Sequence, residues 1–301
     1  MRQQQDRPCQ RRAGWHQGVG FWLGGIALAF AGSAWAAGQP AGEPGPAASA
    51  AAPAVAPAAG RPAKPDCNRS YSLALHEHGL LYSAQTGQGI DQDMAAELAR
   101  RSGCRISVSV MPRARIWQLI EAGSLDFSLS GITNEARDKY AAFAWYFANP
   151  YHLLVRKDAH VRSIAEFERN DRLRLGAIRS FRYSPQANEL MDGLAADGRV
   201  SYATGLDPLY EILLANRVQA LIIEPFDFPM VEGGRLREQT TLLSFGDPPV
   251  PHGLIMSRRA LSAAEQAAWR ALVDEMRADG TVQRIFEKYF KPDMARSLTQ
   301  F

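Results

Sequence analysis

From residue 71 onward, short apolar runs alternate with helical periods, and this alternation limits the chain to parallel sheets with helices packed over them. Runs at 71–75, 106–110 and 125–129 are separated by helical stretches at 92–101 and 114–122. A short helix around Arg137 and an extended run at 152–155 follow, and then the pattern restarts. Strands at 173–177, 199–202 and 220–223 alternate with helices at 185–194 and 208–215. An extended run at 253–256 and helices at 263–278 and 282–289 complete the pattern. In open sheets of this kind ligands gather at the carboxyl ends of strands. Those ends fall at 75–82, 110–113, 129–133, 177–183 and 223–226.

One of these ends carries a chemical signature. Within EAGSLDFSLSGITNEARDKYAAFAWYFANPY, residues 121–151, Gly123 supplies a helix stop and an apolar strand runs into Ser130, Gly131 and Thr133. A strand that ends in hydroxyls and free N–H groups at a helix start makes an anion site. Arg137, one turn further on, closes a bidentate fork on a carboxylate. The competing reading is a surface arginine on a solvated helix.

Before residue 66 the chain is of another kind. A basic head (Arg2, Arg7, Arg11, Arg12), an apolar stretch from Val19 to Phe30 and the small-x-small Ala34-Trp35-Ala36 read as a cleaved leader, 1–36, and therefore as export to a periplasm or beyond. Residues 37–65 are almost entirely Ala, Pro and Gly, too poor in large apolar side chains to offset their ordering entropy, and read as a disordered tether. The whole chain has 34 Lys and Arg against 31 Asp and Glu. Four of the arginines and one acid lie in the leader, so the exported part is neutral and gives no support to nucleic-acid or anionic-membrane partners.

Cys67 and Cys104 remain after export, one just before the first strand and one just before the second. If those strands are parallel neighbours, their starting ends lie side by side and an oxidising compartment favours a disulfide. Two unpaired thiols are the alternative, and zinc would need two further ligands that no nearby pair offers.

Taken together, the segments resemble the bacterial extracellular solute-binding proteins of family 3, the polar amino-acid-binding proteins of ABC importers. GQGIDQDMAAELARRSG is similar to the family's G-f-d-v-D-l-a-x-x-i-a-x-x-l-g, and EAGSLDFSLSGITNEAR to G-x-x-D-x-x-x-x-g-x-x-x-T-x-x-R. FANPYHLLVRKD, LRLGAIRSFRY and ANRVQALIIE follow in the family's order, and MPRARIWQLIEAGSLD resembles a subgroup written P-x-x-R-x-x-x-x-L-x-x-G-x-x-D.

The resemblance implies an α/β, two-lobed type II periplasmic binding fold of the Venus-flytrap kind, each lobe a mostly parallel sheet flanked by helices. Lobe 1 is expected at 67–156 plus 251–301 and lobe 2 at 157–250. It makes Arg137 the carboxylate clamp, with Ser130, Gly131 and Thr133 offering hydroxyl or backbone contacts, and sets Ser180 and Phe181 across the cleft. Glu224 stands where an acid holds the ligand's ammonium. Tyr82 falls at an aromatic cleft position, and Arg113 where many members carry an aromatic lid. The Asp126–Arg137 spacing is one residue short, Gly79 replaces a stacking aromatic, Ser180 a glycine and Gln219 an aspartate. Arg113 as a surplus cation suggests an acidic or doubly anionic ligand; its bland alternative is a helix cap or a partner for Glu121.

The implied function is capture of a small carboxylate, an amino acid or acidic relative, by a monomer that delivers it to an ABC importer. The alternatives are a sensing protein for a receptor, or an enzyme like cyclohexadienyl dehydratase with Glu224 as general acid. No cofactor, metal or catalytic residue is otherwise indicated: no phosphate loop or nucleophile elbow is present. His76 and His78 lack a third ligand and read as lining the cleft or hydrogen-bonding within it. Trp117, Phe143, Trp145 and Phe147 read as core and hinge packing.

Overall fold

The computed structural model describes residues 64–232 and 234–301; the expected leader, and the expected tether up to residue 63, lie outside the described residues. Lobe 1 begins with β1 (Tyr71–Leu75), α1 (Ile90–Ser102), β2 (Ile106–Val110), α2 (Arg113–Ala122), β3 (Phe127–Gly131), the single turn α3 (Glu135–Asp138) and β4 (Ala141–Asn149). The chain crosses to lobe 2 as β5 (His152–Arg156), α4 (Ile164–Arg169), β6 (Leu175–Ile178), α5 (Pro185–Ala196) and β7 (Val200–Ala203). There follow α6 (Leu206–Leu214), β8 (Ala220–Ile223), α7 (Phe228–Val231), α8 (Gly234–Gln239) and β9 (Thr240–Ser244). It returns as β10 (Val250–Ser257), with α9 (Ala263–Ala278), α10 (Thr281–Phe286) and α11 (Pro292–Thr299).

Both sheets follow one plan, β2-β1-β3-β10-β4 and β7-β6-β8-β5-β9. In each a single strand, β10 or β5, runs antiparallel to both neighbours, so four of five strands point the same way. The central strands β3, β6 and β8 are buried along their whole length, as strands covered on both faces must be. Helices bury one stripe. In α1 the stripe is Ile90, Met94 and Leu98, and Gly103 stops the helix at φ 75°. In α9 a reciprocal cap fixes the start: Glu265 N–H donates to Ser262 Oγ at 3.2 Å, and Ser262 N–H to Glu265 Oε2 at 2.8 Å. That helix buries Trp269 edge-on against Tyr71 and Phe127, so Trp269→Ala costs about 3–5 kcal/mol.

Three features differ from the sequence reading. The strand placed at 125–129 starts at Phe127 instead. The Asp126 carboxylate is engaged with Arg69 and with the Ser72 N–H and hydroxyl, each at 2.8 Å, which anchors the chain before the strand. β4 was read only as packing residues. It is a nine-residue strand, buried on both faces and thus lacking alternation. Residues 152–156, assigned by sequence to lobe 1, lie inside the second sheet between β8 and β9, because their run of Leu153, Leu154 and Val155 needs cover on both faces. The first crossing is therefore at residues 150–151.

Cys67 and Cys104 form a disulfide with Cα atoms 4.7 Å apart. It ties the starts of β1 and β2, which pair in parallel from Tyr71 and Ile106. Among the described residues no helix is long and apolar enough to cross a membrane.

Candidate functional site

Two guanidinium groups meet where the carboxyl ends of the two sheets face each other. Arg113 opens α2 directly after Pro112, and its side chain turns inward to 8% exposure. Its Nη1 donates to the Leu129 carbonyl at 3.0 Å and its Nη2 to the Ser130 carbonyl at 2.6 Å. Arg137 sits in α3, whose start is held by Asn134 Oδ1 accepting from Arg137 N–H at 2.8 Å. Its guanidinium lies 4.0 Å over the Trp117 ring and donates to the carbonyls of Ile132 at 3.0 Å and Ser180 at 2.9 Å. The last bond crosses between lobes.

The two serines have left-handed backbones, Ser130 at φ 52° and Ser180 at φ 65°. A non-glycine residue there costs on the order of 1 kcal/mol, and each presents the carbonyl that a buried arginine binds. Burial lowers both guanidinium pKa values. For Arg137 the neighbouring Arg113 charge adds to this and brings it to about 9; for Arg113 the charge of Asp91 opposes the shift. Neither has a carboxylate within salt-bridge distance among the described residues.

The negative side is built on β8. Glu224, 5% exposed at the end of that strand, accepts from His78 Nε2 at 2.7 Å through Oε1. Among the described residues its Oε2 has no hydrogen-bond partner. Burial opposes ionisation of Glu224, but the hydrogen bond and charge of His78 outweigh it and the net direction is down. Burial likewise opposes charging His78, yet Asp227 and Glu224 carry it upward. Asp227, 3.8 Å from His78, is pushed up to about 6 by burial and by Glu224. His252 stays neutral: burial brings it to about 4 against the pull of Glu224. Its Nδ1–H donates to the Val250 carbonyl at 2.9 Å, so its Nε2 accepts from the Tyr151 hydroxyl at 2.9 Å.

Arg113, Ser130, Arg137, Ser180, Phe181 and Glu224 all line one cavity of about 20 Å³, room for about one water. It adjoins a chamber of about 640 Å³ that holds Tyr82 on its wall, and His76, Arg113 and Phe181 line both. Gly131 and Thr133 are not brought in. Gly131 packs its α-carbon against the Ile255 side chain, and the exposed Thr133 gives its hydroxyl to Asp138. Sequence reasoning did not find Asp91, His252, Tyr151 or Asp227. Asp91 is fully buried and accepts from the Ser130 hydroxyl at 2.6 Å and the Tyr146 hydroxyl at 3.1 Å. Its signal was an acid inside the helix-start motif Gly-Ile-Asp. His78 makes a hydrogen bond within the cleft, and Trp117 is the platform of Arg137. Among the described residues no group of three His, Cys, Asp or Glu is placed to hold a metal ion.

The fold has counterparts among known proteins. An ancestral arginine-binding protein bound to arginine superposes with a TM-score of 0.62 at 18% identity, over 75% of this chain and 100% of that one. The amino acid ABC transporter substrate-binding protein AbpA from Streptococcus pneumoniae, bound to L-arginine, gives 0.61 at 19% identity, over 74% and 95%. The ancestral amino acid-binding protein AncCDT-1, a precursor of cyclohexadienyl dehydratase, gives 0.61 at 17%, again over 74% and 95%. At these identities the likeness shows the type II, two-lobed fold. No curated protein is a significant match to the sequence. The sequence model of one family, the bacterial extracellular solute-binding proteins of family 3, matches residues 79–292. With a match over most of its length, the chain belongs to the bacterial extracellular solute-binding proteins of family 3.

Proposed function

We propose that the cleft captures a small carboxylate, an amino acid or an acidic relative, and that the exported protein hands it to the membrane subunits of an ABC importer. One observation carries this reading: Arg113 and Arg137, both buried and without a carboxylate partner among the described residues, converge on one cavity with Glu224. Buried charge calls for a counter-charge, and a ligand carboxylate between two guanidinium forks supplies it. Glu224 Oε2, an acceptor without a hydrogen-bond partner among the described residues, takes the ligand's ammonium. Binding replaces the Arg137–Ser180 bond, so the lobes separate to admit ligand and close again over it.

Glu224 as the general acid of a dehydratase finds no favouring observation. A general acid needs a raised pKa, and His78 holds Glu224 down. The test is calorimetry and thermal shift on the purified protein with amino acids, dicarboxylates and monocarboxylates. Binding of at least one carboxylate, abolished in Arg137→Ala, is expected. Failure of every carboxylate to bind would remove the proposal, and formation of aromatic product from prephenate or arogenate would replace it with the enzymatic reading.

A further inference from the structure

The 640 Å³ chamber is far larger than a short dicarboxylate needs and falls within the range of drug-sized ligand sites. Its walls come from both lobes: Tyr82 and Met111 from lobe 1, and Ile178, Tyr210 and Met230 from lobe 2. Val110 of lobe 1 and Met230 of lobe 2, both on its lining, expose 47% and 50% of their surface. Arg113 lines both this chamber and the small cavity, which places a cation at their junction.

We infer that the chamber seats an uncharged body of aromatic size, belonging to the ligand whose carboxylate is held at Arg113 and Arg137. The inference rests on the carboxylate reading above and narrows it. Two exposed acids, Glu77 and Asp207, line the same chamber, so a second carboxylate on the body meets like charge. Both acids are open to solvent, which weakens their pull on a cationic body, and each has a local role. Glu77 accepts from the Ala84 N–H at 3.3 Å, and Asp207 lies in the first turn of α6, where it complements the positive end of the helix. Burial lowers the Arg113 pKa and the charges of Asp91 and Glu224 oppose that shift, so the ligand carboxylate is not the only negative charge acting on it.

Gly205 supplies the test. It lines the chamber, its φ of −167° suits any residue, and a Cβ there meets nothing within 4 Å. Gly205→Tyr therefore adds a bulky side chain at the chamber lining without straining the backbone, and Gly205→Ala is its control. Calorimetry on the exported protein would use L-phenylalanine and 3-phenylpropionate against L-glutamate, succinate and L-lysine. The phenyl compounds are expected to bind at least tenfold tighter than the other three. Gly205→Tyr is expected to weaken them at least tenfold without changing the weaker ligands, and Gly205→Ala to change nothing. Tightest binding by glutamate, succinate or lysine, or phenyl ligands indifferent to Gly205→Tyr, overturns the inference and leaves the carboxylate reading standing. If none of the five binds and no other carboxylate does, the carboxylate reading itself falls.

Discussion

His78 Nε2 lies 2.7 Å from Glu224 Oε1, so the end of β1 in one lobe and the end of β8 in the other are joined by a buried hydrogen bond. His78 is raised and Glu224 lowered, so each holds the other charged. The stability that His78 contributes is complete below its unfolded pKa, near 6.5, and is lost as pH rises through its raised folded pKa. Glu224 contributes above about pH 4.5 and loses its share as pH falls. His78→Gln is therefore expected to lower stability by about 1.5–3 kcal/mol near pH 6, with the gap to wild type shrinking toward pH 9. Melting temperatures of both proteins across pH 5–9 check this. A gap that stays constant would mean that His78 is neutral throughout.

Arg137→Ala is expected to weaken carboxylate binding by roughly two to three decades, or about 2–4 kcal/mol, as truncation of one partner of a desolvated charge pair does. Arg137→Lys keeps the charge but neither the fork nor the planar stacking on Trp117, and should recover only part of the loss. Calorimetry with the best carboxylate found by screening decides it. Near-wild-type affinity in Arg137→Ala would remove the clamp from Arg137.

What the sequence made legible, and what it hid, follows from how far each signal reaches. Strands β1 and β8 and helix α9 have the bounds read from the apolar pattern, because their apolar runs are local and their caps adjacent. Arg137 stood out because a small-residue turn and an arginine one turn later are close in sequence. Residues 141–149 form a strand without alternation, and its pairing with β10 spans more than a hundred residues, so periodicity could not find it. The pairing is close enough that a side chain at Gly253 would run into the Ala144 carbonyl. His252 and Asp91 were invisible for the same reason: their partners, Tyr151 and Ser130, are brought up only by the folded sheets.

The Cys67–Cys104 disulfide closes a sequence separation of 37 residues, for which loop entropy predicts about 3–4 kcal/mol. It secures β2, an edge strand that is mostly exposed and has few packing contacts of its own to hold it. Cys67→Ser with Cys104→Ser is expected to lower the melting temperature by roughly 6–12 °C while ligand affinity stays within about threefold. Intact mass two units below the reduced form, with one linked tryptic pair, confirms the bond in exported protein. Free thiols in denatured, unreduced protein would contradict it.

Arg113 is tied to Asp91 through one residue: Arg113 Nη2 donates to the Ser130 carbonyl at 2.6 Å, and the Ser130 hydroxyl donates to Asp91 Oδ1 at 2.6 Å. Burial raises Asp91 to about 6, and the Arg113 charge is among the forces that keep it from rising further. A raised carboxyl contributes stability below its unfolded pKa, near 3.9, and loses it as pH climbs through the folded value. Arg113→Met keeps the bulk and removes the charge, so Asp91 rises further and its cost at neutral pH grows. The other buried groups facing Arg113 respond in the same sense. His76, His78 and His252 are all held down by its charge, and without it each binds a proton more readily at low pH. Arg113→Met is therefore expected to lose about 1–2 kcal/mol more stability at pH 7.5 than at pH 5.0, by chemical denaturation at both pH values. Carboxylate affinity should fall at least tenfold at pH 7.5, because one of two guanidinium forks is gone. A stability loss independent of pH would show that Arg113 acts through packing alone.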